Sequence, residues 1–150
     1  MRIMFVCHGN ICRSPMAEMI FSDMLRKRRI SGVEVASSAT STEEIYRGVG
    51  NPMYPPAISE LRRHGIPTWD RRAVRLCAED YDKYDLFLVM DGRNLRGISG
   101  IFSDTEGKVK RLLDYAGGGD VADPWYSDRF DIAYRDIFEG CEALLKDITK

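Results

Sequence analysis

The chain has 150 residues, 44% of them hydrophobic and 30% charged, values that suit one globular domain able to bury a core without disulfide staples. A formal net charge of −1 gives no bulk attraction for nucleic acid or a membrane surface, and no run approaches the roughly 20 apolar residues of a membrane span. Met1-Arg2 leads into only a short apolar run, unlike a signal peptide, and four sparse cysteines read as free thiols in a reducing cytoplasm.

Residues 2–7 read as a buried first strand. A nine-residue turn, Cys7-His8-Gly9-Asn10-Ile11-Cys12-Arg13-Ser14-Pro15, follows it. A helix is expected over 15–30, with Ser14 as N-cap, Pro15 at the first helical position and Gly32 as the stop. Arg26-Lys27-Arg28-Arg29 then reads as cations opposing the negative end of that helix. Val33–Ala36 is a second strand, so strand, helix and strand form a βαβ unit with a parallel crossover. Residues 37–56 read as a long polar loop, and 56–64 as a short helix ended by Gly65. Residues 84–90 form a third strand, Asp91 caps a short helix through Asn94, and 109–113 form a fourth strand. A Gly117-Gly118-Gly119 loop leads to Asp123-Pro124-Trp125-Tyr126. The last helix spans 129–147, with Ile132, Ile137, Phe138, Cys141, Leu144, Leu145 and Ile148 facing inward. Cys77 and Cys141 both read as core. The pattern is α/β: a single domain over 1–150, one doubly wound parallel sheet with helices on both faces. In such sheets ligands bind beyond the carboxyl ends of the strands, where Cys7 lies.

The chemistry concentrates in the turn after the first strand. A helix N-terminus carries backbone N–H groups without intrahelical partners and so collects anions, and a thiol placed there ionises easily. Consecutive amides from His8 to Arg13 suit the three non-bridging oxygens of a phosphate monoester. Arg13 adds a planar fork for two of them, and Gly9 and Asn10 tolerate the left-handed angles that an inward-curling loop needs. The Ser14 hydroxyl is within reach to bond the thiolate. Attack by Cys7 on phosphorus requires a proton for the departing oxygen. Asp123, in a Gly-led loop beside a proline and two aromatics, is the candidate acid. Cys12 is a candidate redox partner for Cys7, or else a packed small side chain. The amides and Arg13 supply the electrostatics, so no metal or other cofactor is expected. With only His8 and His64 and no paired cysteines a zinc site is not expected, and there is no Gly-x4-Gly-Lys-Ser/Thr nucleotide loop.

With these residues in view, the chain resembles the low-molecular-weight protein tyrosine phosphatase family over nearly its full length. Cys7–Pro15 resembles that family's phosphate-binding loop, Tyr84–Leu95 its third strand and following helix, Asp123-Pro124-Trp125-Tyr126 its general-acid loop, and Gly140–Leu145 its closing helix. The resemblance implies a four-stranded parallel sheet, with Cys7 as nucleophile, Arg13 as phosphate clamp and Asp123 as acid and then base. Asn10 and Ser14 would shape the loop. Tyr126 and Tyr46 would wall a phenyl ring, with Trp125 either a wall or packing. Its implied partners are phosphotyrosine-containing proteins or small aryl phosphates. Two departures stand out. Arg71 occupies a position where the family often carries a supporting histidine, and Ser38-Ala39-Thr40 replaces the commoner Ser-Ala-Gly-Thr.

Three other functions compete. A protein arginine phosphatase of the same fold resembles this chain but carries threonine at the position of Ile11, and the bulk of Ile11 suits an aryl ring better than a hydrated guanidinium. An arsenate reductase needs additional cysteines to relay a disulfide, and only Cys77 lies in the relevant region. A non-catalytic phosphotyrosine-binding module has no need of Cys7, Arg13 and Asp123 together.

Overall fold

The computed structural model describes residues 1–150. The chain runs β1 (Arg2–Cys7), α1 (Arg13–Lys27) and β2 (Glu34–Ala39), then a hairpin of β3 (Ile45–Tyr46) and β4 (Val49–Gly50), and α2 (Pro55–Arg63). It continues through α3 (Asp80–Lys83), β5 (Leu86–Val89), α4 (Gly92–Ser99) and β6 (Val109–Arg111) into a 3-10 turn at Leu112–Ala116. It closes with α5 (Pro124–Ser127) and α6 (Phe130–Ile148). Four strands form one parallel sheet in the order β2-β1-β5-β6. The order reverses around β1: α1 carries the chain to β2 on one side, and the later strands add on the other. Such a reversal leaves a crevice at the carboxyl end of β1, where Cys7 pairs in register with Ala39.

Both faces of the sheet are covered, which explains why β1 and β5 are apolar without alternation. Ile3, Phe5, Leu88 and Met90 face a core shared with α1, α2 and α6, while Met4, Val6, Phe87 and Val89 face Leu76, Tyr81 and Ile98 from α3, α4 and the segment before them. Phe5 meets Phe21 of α1 edge to face, at 5.8 Å between centroids. No helix is long and apolar enough to cross a membrane.

Several local expectations are corrected. Helix α1 starts two residues early, at Arg13, so Cys12 takes the cap position and Pro15 the third helical one. Ser14 is not the N-cap, because its hydroxyl is committed to Cys7 and Asn10. The helix ends at Lys27. Arg29 turns left-handed (φ 55°), and the Ile30 amide reaches back to the Leu25 carbonyl while that of Arg29 reaches Arg26. That is the helix-ending motif usually built on glycine. Arg26 and Lys27 pair with the buried Asp23. β2 extends to Ala39 instead of stopping at residue 36. The loop after it contains the β3–β4 hairpin, whose Gly50 packs so closely on the Ala73 backbone that a Cβ would lie 2.0 Å from the Ala73 carbonyl oxygen. The fourth strand yields to the 3-10 turn after Arg111. Cys141 is buried in α6, but Cys77 is exposed and not core.

Candidate active site

The turn between β1 and α1 folds into a cup. Residues 8–12 belong to neither a strand nor a helix, and the amides of His8, Gly9, Ile11 and Cys12 donate to no acceptor in the protein. The outward carbonyls are met from outside: Cys7 by the Thr40 amide, His8 by Ser41, Ile11 by the Tyr54 amide, and Asn10 by Arg71. Carbonyls held outward leave the amides turned to the concave side, which is how a loop of successive N–H groups becomes an anion nest. Asn10 makes the bend with φ 60°, and its carboxamide is fully buried.

Cys7 lies on the floor of the resulting cleft, 4% exposed. The Asn10 amide donates to its Sγ at 3.3 Å, and Ser14 Oγ lies 3.0 Å away. Asn10 Nδ2 donates to that same Ser14 oxygen at 2.8 Å, so the hydroxyl hydrogen is left to point at the sulfur. The sulfur therefore receives two hydrogen bonds.

Arg13 is 3% exposed and is held by two carboxylates and a carbonyl. Nη1 donates to Asp91 Oδ2 at 2.8 Å and to the Val121 carbonyl at 2.9 Å, which uses both its hydrogens. Nη2 is 3.4 Å from Asp123 Oδ2. An oxyanion would thus be gripped by the Nη2–Nε edge. Burial works against the charged form of Arg13, but the negative charges of Cys7, Asp123 and Asp91 outweigh it and raise its pKa. Asp91 went unrecognised as a site residue: the sequence points to it only as a cap. It is both, since Oδ1 accepts the Asn94 amide at 2.9 Å while Oδ2 holds Arg13. Burial opposes its ionisation, yet the Asn94 amide and Arg13 together hold its carboxyl below the usual range. The one signal available beforehand was its place at the carboxyl end of a central strand.

Asp123 stands at the start of α5, where Oδ1 accepts the Trp125 amide at 3.0 Å. Its other oxygen accepts from Arg13 Nη2, and the residue lines the same cleft as Cys7. Ile11, Trp125 and Tyr126 line the cleft with His8, Arg93 and Glu43. His8 Nε2 is 3.0 Å from Glu43, whose carboxyl is held below its usual range by that contact. Trp125 also packs on Tyr54, 5.1 Å between centroids, so it serves as lining and packing at once. Tyr46 does not line the cleft: it is 73% exposed on β3, with the Arg47 guanidinium over its ring. Cys12 is buried beside Cys7. Burial, reinforced by the charges of Cys7 and Asp123, pushes its thiol up to about 12, so that Cys12 stays protonated while Cys7 carries its negative charge. No group of three or more His, Cys, Asp or Glu residues is arranged to hold a metal ion.

Comparisons with known proteins identify a family. A family model described as low molecular weight phosphotyrosine protein phosphatase matches residues 2–150. The low molecular weight protein-tyrosine-phosphatase YfkJ of Bacillus subtilis is 40% identical over 154 residues, covering 99% of this chain and 96% of that one. PtpA of Staphylococcus haemolyticus is 37% identical, covering 99% of this chain and 94% of that one. Among solved structures, that of YfkJ superposes with a TM-score of 0.91 at 34% identity (99% and 94% covered). That of a Drosophila arginine phosphatase superposes with 0.88 at 27% identity (100% and 99% covered). With a matching family model over nearly every residue, the chain belongs to the low-molecular-weight protein tyrosine phosphatase family, as a phosphoric monoester hydrolase.

Proposed function

We propose that this enzyme hydrolyses phosphotyrosine monoesters, in proteins or as small aryl phosphates, through a cysteinyl-phosphate. The Cys7 thiolate attacks phosphorus, the bond from phosphorus to the phenolic oxygen breaks, and Asp123 delivers its proton to that oxygen. Water then attacks the thiophosphate, losing a proton to the Asp123 carboxylate. The sulfur–phosphorus bond breaks, inorganic phosphate leaves, and Ser14 and the Asn10 amide receive the returning negative sulfur. The free amides of the loop and the open edge of Arg13 hold the equatorial oxygens throughout. The observation that carries this reading is a sulfur with two donors on it at 3.0 and 3.3 Å, at the floor of a cleft shared with Arg13 and Asp123.

Ile11 beside Trp125 and Tyr126 supports an aryl substrate over a guanidinium. A substrate panel at neutral pH with chelator present tests this. Phosphotyrosine is expected to turn over at least about tenfold faster than phosphoarginine, a margin of the size that an apolar pocket can supply. Phosphoserine and arsenate are expected to turn over more slowly still. Faster turnover of phosphoarginine would assign the chain to the arginine branch instead.

Cys12 is proposed as the redox partner of Cys7. Peroxide would convert Cys7 to a sulfenic acid, and the Cys12 thiol would displace water from it to form a disulfide. Activity lost to mild peroxide is expected to return fully with dithiothreitol, with a Cys7–Cys12 disulfide in the peptide map. Irreversible loss without that disulfide refutes the role. Four unpaired thiols favour a reducing compartment, the cytoplasm, as the setting.

A further inference from the structure

The rim of the cleft carries two charges that no partner in the protein neutralises. Arg93 follows Gly92 at the start of α4 and is exposed, and its side chain meets one polar atom, His8 Nε2, at 3.5 Å. Glu44, in the loop before β3, is half-buried, and its carboxylate accepts only from the neutral Asn51 Nδ2, at 2.7 Å. Both line the same cleft as Cys7. They stand at different points along it. Arg93 lies beside His8, whereas Glu44 packs on Gly9, its Cγ 3.2 Å from where a Cβ of that glycine would be. The neighbouring charge, Glu43, is already paired, 3.0 Å from His8 Nε2. A ring nitrogen offers either one hydrogen or one lone pair. The Glu43 carboxylate takes the hydrogen, so Nε2 has no lone pair for Arg93, and the guanidinium keeps its donors for a ligand. Of the other charged lining residues, Arg13 and Asp123 are joined to each other.

The phosphate belongs on the loop amides at the floor, so the residues on either side of a phosphotyrosine must pass over this rim. We propose that Arg93 and Glu44 are specificity-determining residues that fix the direction in which a phosphotyrosine segment lies, with an acidic flank on Arg93 and a basic flank on Glu44. The inference rests on the phosphatase reading for the phosphate at the floor and adds the class of segment around it. Two properties of the rim suit the task. A guanidinium grips a carboxylate with two parallel hydrogen bonds and keeps its charge throughout the neutral range. Glu44 is steadied by Asn51, so less side-chain freedom is lost when a cation arrives. Charges at a rim act on encounter and register more than on tightness. With a net charge of −1 the chain as a whole steers neither sign strongly, so discrimination falls to the local pair. A small aryl phosphate has no flanks to be read.

Two phosphotyrosine peptides of identical composition test this, one with aspartates before the phosphotyrosine and lysines after it, the other in the opposite order. Net charge is the same in both, so bulk attraction cancels and only direction differs. Two readouts are taken at about 20 mM and about 500 mM salt, between which the screening length falls from about 20 Å to about 4 Å. They are kcat/KM by phosphate release in the full-length parent, and Kd by fluorescence anisotropy on Cys7→Ser. One order is expected to be favoured about tenfold in both readouts at low salt, from two rim ion pairs worth about threefold each, and to lose most of that advantage at high salt. Glu44→Gln, which keeps the bond from Asn51, lowers the ratio to about threefold. Arg93→Glu, at an exposed helix start that suits an acidic residue, brings the ratio to within about twofold of unity. If the parent hydrolyses phenyl phosphate but treats both orders alike at low salt, the proposal is overturned and the phosphatase reading stands. A preference that survives Arg93→Glu in full overturns it equally, because the rim is then not its source. Should that variant fail to fold, Arg93→Gln decides the same point by the same ratio. A parent inert toward phenyl phosphate would sink the phosphatase reading, and the order preference in Kd on Cys7→Ser would then uphold or overturn the direction-setting role by itself.

Discussion

Replacing Cys7 by serine is expected to lower phenyl phosphate hydrolysis by at least about 10,000-fold while inorganic phosphate still binds, the scale on which loss of a nucleophile acts. The substitution is small and the cup does not depend on the sulfur. The outward carbonyls of Cys7, His8, Asn10 and Ile11 keep their donors, and Arg13 keeps Asp91 and Val121. What disappears is a group able to carry negative charge at neutral pH: a serine hydroxyl bonded to Ser14 does not ionise there, and no base in the cleft is placed to take its proton. Phosphate binding is read by calorimetry and turnover by release of phenol. Turnover surviving the change would falsify the nucleophile assignment. Loss of phosphate binding together with turnover would mean that the sulfur holds the loop together, contrary to the hydrogen-bond pattern.

Asp123→Asn is expected to reduce kcat for phenyl phosphate by about 100- to 1,000-fold, and far less for a nitrophenyl ester, because only the poor leaving group needs a proton in the transition state. Asparagine is chosen over alanine for a structural reason. Asp123 Oδ1 caps α5 through the Trp125 amide, and losing that cap costs about 1 kcal/mol. The amide oxygen of asparagine preserves the cap while removing the acidic proton, so the turn that carries Trp125 and Tyr126 stays in place. Uniform slowing across leaving groups of different acidity would count against the acid role. So would a variant whose rate depends on leaving-group acidity as the parent's does.

The parts of the site that were legible beforehand are contiguous. Cys7 through Ser14 spans a strand end and a helix start, and the roles proposed for it follow from what those two places do to thiols, amides and anions. Asp123 stood out through its setting, a Gly-led loop beside a proline and two aromatics, since an aspartate before proline by itself marks only a turn. The parts with no local signal are separated along the chain, although the family resemblance pointed to the position of Arg71. Asp91 meets Arg13 across 78 positions and Arg71 meets Asn10 across 61. Neither pairing has a local pattern, because each exists only once the sheet order has brought β5 and the segment before α3 beside β1. Ser14 shows the same limit at short range. Its residue type and place suit a helix cap, yet a buried sulfur and the Asn10 carboxamide compete for its single hydroxyl and win.

By itself the sequence determined that this is an α/β domain with a thiol, an arginine and an anion-binding helix start in one turn, because strand periodicity, helix starts and turn chemistry act over a few residues. The tertiary structure alone decided which groups hold that turn in shape: Asp91 behind the arginine, Arg71 behind the asparagine, and Trp125 rather than Tyr46 at the mouth. Those choices depend on the order in which the strands assemble and on which loops then share the carboxyl edge of the sheet, and no short-range preference of the chain encodes that.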